Sequence, residues 1–468
     1  MFKDQVSLDV FVQDIFFVLS TMAVVPAVAG LGLIDSGLSR RKNVLDQWIQ
    51  KLVAGFCVAL GFLVVGYAVW QWQFNQAFGT PHALRTAISG WWLGGANLSH
   101  FAQTFDPKVM PEADVLQIFA GFFVTFAFIL GAFMHSAGME RVKPLPLYLM
   151  CFVVGATTWP LLSYLVWGSL SPLTNRGLHD YTGIFNLYLF VGGWSVVMAW
   201  RLRPRLGTFT AHPREVGPRP HNMSHVALGV FLLMFAIPFI VLGSGYIVPG
   251  SGYFGISMTT SGFGVAFLNV LCAFIGGGLG GALLSYRQRN PTWALLGPIS
   301  GYVSCAALFD IGKPWETLLV AFFGPGFVYL AYRLLHRLRV DDPKIGPLTL
   351  GAGVYGAIIA GVIGWGTPTG GYFGLTGRYG FQHARINPGW QVIGVVVAVG
   401  FGALSALVLT TLCQKTIGLR VSEDVEVAGL DSTYWSIPQD DQPSGAVTPV
   451  GSPGHPGGPR NGDAAPVG

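Results

Sequence analysis

Few residues in this sequence could carry out covalent or metal chemistry, and they are scattered through hydrophobic stretches. The five cysteines all fall inside apolar runs, without the short spacing of a disulfide framework or a zinc ligand set. A nucleophile elbow and a phosphate-binding loop are also missing from the sequence. The sequence therefore predicts a protein that is not an enzyme and that has no metal or other cofactor.

The elements that must position any functional residue are membrane helices. The chain is 52% hydrophobic and only 10% charged, whereas an average soluble domain is roughly 25% charged. Apolar runs of about 20 residues, the length needed to cross a bilayer core as a helix, recur along the chain. We expect eleven transmembrane helices in one membrane domain, residues 8–415. The predicted spans are 10–34, 48–71, 115–135, 144–167, 181–202, 225–247, 256–285, 293–311, 316–336, 346–366 and 389–413.

Every second connection between these spans is basic. By the positive-inside rule, this alternation predicts a multi-pass protein of the plasma membrane with its N-terminus outside and its C-terminus in the cytoplasm. The net charge of +5 orients the protein in its membrane and indicates no nucleic-acid partner, because the basic residues form no single patch with interleaved aromatics. The basic residues of these connections are Arg40, Arg41, Lys42, Arg141, Lys143, Arg201, Arg203, Arg205, Arg214, Arg219, Arg287, Arg289, Arg333, Arg337, Arg339, Lys344, Lys415 and Arg420.

Three strings resemble signatures of the ammonium transporter (Amt/Mep/Rh) family. They are GLGLIDSGLSRRKNVLD at 30–46, LRVDDP at 338–343 and GLRVSEDVEVAGLD at 418–431. The resemblance covers about residues 8–435. It implies an all-α integral membrane fold of two inverted five-helix halves plus an eleventh helix, assembled as a homotrimer with one pore in each subunit.

The chain after the last span divides into two parts. The resemblance implies that 416–435 is a cytoplasmic regulatory segment, beside which a nitrogen-regulatory protein of the PII type would dock. Residues 436–468 are rich in proline and glycine and bury too little apolar surface to fold. We expect them to form a disordered tail.

The resemblance also implies a cation site at the outer end of the pore, where ring faces attract ammonium within about 6 Å. Trp167 in LSYLVWGSL matches the tryptophan of that site, and Phe123 in IFAGFFVTF matches the first gate phenylalanine. Tyr246 stands where the family has a serine of the site, and Leu242 where it has the second gate phenylalanine. Asp180 matches an aspartate of structural support, and a carboxylate at a helix start also caps the helix.

Both pore histidines of the family are missing. Counting from Asp180 places Tyr188 at the first position, and counting from Asp341 places Leu350 at the second, whereas alignment on nearby glycines gives Ala352 instead. Imidazoles can relay a proton near neutral pH, but aliphatic side chains cannot, and a phenol with a pKa near 10 does so poorly.

The sequence is therefore compatible with two main functions. The first is an ammonium transporter or ammonia channel with a variant pore, which the retained Trp167, Phe123 and Asp180 favour. The second is a non-conducting ammonium sensor that signals through its cytoplasmic face, which the loss of both histidines favours. A channel for another small neutral molecule is a third alternative. In each case the surroundings are a lipid bilayer.

Overall fold

Long helices make up most of the computed structural model, which describes residues 8–77, 79–99, 113–168, 170–210, 217–248, 252–255, 260–369 and 384–437. The helices are α1 Leu8–Leu38, α2 Arg41–Ala77, α3 Ala83–Trp91, α4 Ala96–Ser99, α5 Ala113–Gly138, α6 Pro144–Val166, α7 184–202, α8 Met223–Gly243, α9 Phe263–Gln288, α10 Thr292–Ser304, α11 Pro314–Arg337, α12 Pro347–Ile363, α13 Pro388–Thr416, α14 Glu423–Ala428 and α15 Leu430–Trp435. Short antiparallel strands are β1 Gly245–Val248, β2 Gly252–Gly255 and β3 Thr260–Ser261, and β4 Pro368–Thr369 with β5 Ala384–Arg385.

Eight of the described helices are long and apolar enough to cross a membrane. Shorter helices, α7, α10 and α12, occupy three further predicted spans, so the count of eleven stays a prediction. Large apolar side chains point outward from the long helices, among them Phe231 at 66% exposure and Leu404 at 63%. A soluble protein rarely exposes such continuous apolar surface, and lipid would cover it here.

Glycines allow neighbouring helices to approach closely. Gly30 of α1 and Gly229 of α8 face one another, because a Cβ at Gly30 would lie 2.6 Å from the Gly229 carbonyl oxygen. The glycine-rich stretch of α9 behaves in the same way against α10, where a Cβ at Gly277 would lie 2.3 Å from the Gly297 carbonyl oxygen. Close backbone packing of this kind stabilises helix pairs in lipid.

Helices α7 and α12 begin alike. The Asp180 carboxylate accepts hydrogen bonds of 2.7 to 3.4 Å from the backbone N–H groups of 183–186. The Asp342 carboxylate accepts bonds of 2.9 to 3.1 Å from the N–H groups of 344–346. Each helix then opens with a π-helical segment, Ile184–Leu189 in α7 and Pro347–Ala352 in α12. Two related halves would produce this likeness.

Residues from several of the basic connections meet on one side of the molecule in a largely buried cluster that we call the basic-face network. Arg205 bonds Asp341 through Nε at 2.9 Å and Glu140 through Nη1 at 2.9 Å. Glu426 of α14 accepts from Arg40 at 3.1 Å and from Arg420 at 2.6 Å. The network therefore joins the C-terminal segment to the inter-helix loops. Its members are Arg40, Glu140, Arg141, Arg205, Asp341, Arg420 and Glu426.

The structure describes most of the membrane domain and the segment after it, but little of the predicted tail. The membrane domain predicted for 8–415 contains α1 to α13, and 416–435 contains α14 and α15. The tail predicted for 436–468 lies outside the described residues from 438 onward. These boundaries stay predictions.

Candidate functional site

A narrow cavity lies between α1, α5, α7, α8, α10 and α12, and the centre of a water-sized sphere can occupy about 40 Å³ inside it. Its wall is almost entirely aliphatic and aromatic. The polar side chains in the wall are Thr182, Tyr188, Tyr302 and Lys344. A small solute inside would therefore meet few hydrogen-bonding partners, and the positions of those few decide what can pass.

Two tyrosines face each other in the cavity. The hydroxyls of Tyr188 on α7 and Tyr302 on α10 are 3.1 Å apart, and the rings meet edge to face at 6.0 Å. Both residues are buried. Phe133 contacts the Tyr188 ring at 6.1 Å, and Phe309 stacks on Tyr302 at 5.6 Å, so the rings are held in place. The pair presents both a hydroxyl donor and hydroxyl acceptors within an apolar wall.

The structure places Leu350 away from this cavity. It lines an outward-facing groove with Phe327 and Tyr355, and its Cδ2 occupies the space that a Cβ at Gly192 would need, at 2.6 Å. Leu348 lines the cavity on α12 instead. The π-helical segment Pro347–Ala352 widens the first turns of α12, and Leu350, the position counted from Asp341 through the family resemblance, does not line the cavity. Ala352, the alternative position, is fully buried.

Trp167 and Phe123 are in contact, with ring centroids 5.3 Å apart. Phe123 lies behind this ring, against Trp70 at 4.2 Å, whereas Phe126 lies 5.6 Å from Trp167 and lines the cavity. Trp167 is fully buried, and its Nε1 has no hydrogen-bond partner among the described residues. Phe126 therefore contacts Trp167 on one side and lines the cavity on the other.

The remaining residues predicted for the site are Leu242, Tyr246 and Asp180. Leu242 is buried in the last turn of α8, and Ile237 and Ile240 of the same helix line the cavity. Tyr246 belongs to β1, and its side chain is outside the described part of the chain. Asp180 is buried and bonds the backbone at the start of α7, which is the geometry of a supporting residue.

Sequence reasoning missed Tyr302, Phe126, Leu348 and Lys344. A signal existed for Tyr302, because a tyrosine in the middle of a predicted span is a polar group that needs a partner in the membrane. The other three are ordinary residues for their segments, and their orientation depends on where each helix begins. Among the described residues, no cluster of His, Cys, Asp and Glu could hold a metal ion.

Comparison with known proteins agrees with this architecture. The sequence model of the Ammonium Transporter Family matches residues 15–436. "Ammonium transporter Amt1" of Methanocaldococcus jannaschii is 26% identical over 423 residues, covering 90% of this chain and 95% of the relative. "Ammonium transporter MEP1" of Saccharomyces cerevisiae is 25% identical over 431 residues, covering 89% of this chain and 80% of the relative.

Solved structures show the same fold at lower sequence identity. A structure titled "Sensor Amt Protein" superposes with a TM-score of 0.70 at 19% identity, covering 92% of this chain and 99% of that one. Candida albicans Mep2 superposes with a TM-score of 0.68 at 18% identity, covering 88% and 86% of the two chains. The helical membrane fold predicted from the sequence is therefore confirmed.

Proposed function

Because the chain belongs to the Ammonium Transporter Family, we propose that it moves ammonium or ammonia across a membrane through the cavity that contains Tyr188 and Tyr302. Family membership confirms the resemblance inferred from three short strings, and it places the chain among multi-pass membrane transporters, not enzymes. The observation that carries the proposal is the hydroxyl pair, 3.1 Å apart, in a cavity whose wall is mostly aliphatic and aromatic.

The hydroxyl pair supplies part of the hydrogen bonding that the two family histidines would provide. An ammonia molecule in an aliphatic cavity loses its hydrogen bonds to water, which costs about 1–3 kcal/mol for each group left without a partner. One hydroxyl can donate to the ammonia nitrogen while the other accepts from an ammonia N–H. Buried phenols are poor proton carriers near neutral pH, so the pair favours passage of a neutral molecule.

Flux through purified protein in liposomes tests the proposal. An inward ammonium gradient should alkalinise a dye-loaded lumen faster than in protein-free liposomes, because ammonia that enters binds a proton. Equal rates would show that the protein does not conduct. The sensor alternative would then gain support if the same preparation still bound ammonium.

Trp167 is proposed to hold the cation at the outer end before it enters, together with Phe126. Trp167→Leu keeps apolar bulk and removes the indole face. A cation–π contact contributes about 0.5–2 kcal/mol, so the ammonium concentration for half-maximal flux should rise roughly two- to thirty-fold. Trp200→Leu is the control, because Trp200 is 58% exposed. An equal shift in both variants would remove Trp167 from the site.

We also propose a homotrimer in the plasma membrane with the basic face in the cytoplasm. The support is that the basic connections and the C-terminal segment meet in one network. A reporter active only in the cytoplasm, fused after Trp435, should be active, and native mass spectrometry in mild detergent should show trimers. A silent fusion would reverse the orientation, and monomers would count against the trimer.

A partner of the PII type is proposed for this same face. Its exposed arginines, such as Arg337 and Arg339, fit a partner with acidic groups. The protein should co-purify with such a partner under some condition of nitrogen supply. Absence of any partner under all conditions would leave these arginines a role in topology alone.

A further inference from the structure

Lys344 lies at the end of the cavity nearest the basic face, and it is the one charged side chain in the described cavity wall. A second cavity, which we call the inner vestibule, adjoins it there and offers about 280 Å³ to the centre of a water-sized sphere. Arg205 of the basic-face network lines the inner vestibule. Leu296, Lys344 and Leu348 line both spaces, so these three side chains form the wall that separates them.

The Lys344 ammonium group belongs to a buried cluster of three charges. Its Nζ contacts one oxygen of Asp35, and Lys51 Nζ lies 2.6 Å from the other. Lys51 has further acceptors, the Ala132 carbonyl and the Ser136 hydroxyl, each at 2.9 Å. One carboxylate therefore serves two ammonium groups.

With both lysines protonated, the cluster has an excess of one positive charge, and Lys344 is the member that lines the cavity. Burial lowers the pKa of Lys344 to about 7, so its charge is complete only below that pH. Asp342, two residues earlier, forms no ion pair with Lys344 in the described part of the chain, and its oxygens accept from the backbone N–H groups of 344–346. A cation that leaves the cavity must pass within a few ångströms of the Lys344 ammonium group. A neutral molecule meets no such repulsion.

We propose that Lys344 is a charge filter which lets neutral ammonia cross from the cavity to the inner vestibule and repels ammonium. This inference rests on the proposed function, and it specifies the transported species. Two like charges about 5 Å apart repel by an amount that, at an effective dielectric constant of about 20, corresponds to a hundredfold or greater reduction in passage. The position of Lys344 in the wall shared by both cavities distinguishes this role from that of Lys51, which is bonded to α5.

The experiment compares ammonium-driven current with ammonia flux in the same proteoliposomes. Lys344→Met keeps the length of the side chain and removes its charge, Lys344→Arg keeps the charge, and Lys51→Met removes the other lysine on the same carboxylate. We expect Lys344→Met to carry at least about ten times the current of the wild type. The Lys344→Arg variant should stay at the wild-type current. Lys51→Met should raise the current less than Lys344→Met does, because it cancels the excess charge of the cluster but leaves the Lys344 ammonium group in the cavity wall. If the Lys344→Met variant does not purify as a monodisperse protein, Lys344→Gln is used in its place.

The outcomes separate the filter from the proposed function. Wild-type ammonia flux above that of protein-free liposomes supports transport, whatever the current, and flux equal to theirs contradicts it. A current in Lys344→Met no larger than in the wild type overturns the filter, with or without ammonia flux. An equal rise in Lys51→Met also overturns it, because the whole cluster and not Lys344 would then set the barrier.

Discussion

Phenylalanine in place of either cavity tyrosine should slow ammonia flux roughly 5- to 150-fold while the protein stays folded. Tyr188→Phe and Tyr302→Phe each remove one oxygen of the pair and preserve ring packing against Phe133 or Phe309. The solute then loses one partner at the point where the wall is otherwise apolar, at a cost of about 1–3 kcal/mol. Stopped-flow alkalinisation of dye-loaded proteoliposomes measures the change.

The double variant and an outward tyrosine make this test specific. Tyr188→Phe with Tyr302→Phe should be little slower than either single variant, because the two hydroxyls act together. Tyr355→Phe is the control, since Tyr355 stacks on Phe327 in the outward groove. Wild-type flux in both single variants would show that the hydroxyl pair has no part in conduction. Conduction would then depend on the width of the cavity alone.

Removing Arg205 should lower stability more than any other single change in the basic-face network. Arg205 bonds Asp341 through its backbone N–H, Nε and Nη2, each at 2.9 Å, and bonds Glu140 through Nη1. Arg205→Ala would leave two buried carboxylates short of a partner, which typically costs about 3–5 kcal/mol. We expect the melting temperature in detergent to fall by at least about 5 °C. Arg337→Ala, at an exposed position, should leave it unchanged.

The pH dependence of this variant identifies the cause. Burial opposes ionisation of Asp341 and Glu140, but Arg205 outweighs it and holds the pKa of both carboxyls below their usual range. Wild-type stability from these groups is therefore complete at neutral pH and is lost only in acid, as the pH falls below about 4. Without Arg205 the pKa of both carboxyls moves upward, because burial is then opposed mainly by Arg141 at Asp341 and by Arg40 at Glu140. Acidification below about pH 4 should therefore narrow the difference in melting temperature between variant and wild type. A difference in melting temperature that stays constant with pH would show that the loss of stability comes from lost packing and not from the unpaired carboxylates.

Much of the architecture follows from local properties of the sequence. Apolar length locates helices at the predicted spans because a bilayer requires about 20 residues, and the boundaries shift by several residues where polar ends continue a helix, as α2 does from Arg41 to Ala77. The alternation of basic connections correctly places Arg40, Arg205 and Arg420 on one side. Asp180 is identifiable as a cap because capping depends only on the next few backbone groups.

Which side chains face each other across the cavity depends on how each helix is rotated about its own axis. Counting residues along the chain does not give that rotation. At the π-helical start of α12, Leu348 lines the cavity and Leu350 lines the outward groove. On α5, Phe126 lines the cavity, whereas Phe123 packs against Trp70. Tyr302 is the partner of Tyr188 because α10 lies opposite α7 across the cavity. The sequence thus determined that the chain is a helical membrane protein of a recognisable family without the two histidines. Tertiary packing decided which side chains meet across the cavity, because a hydrogen bond between distant segments depends on side-chain direction, and direction is set by helix contacts and not by spacing along the chain.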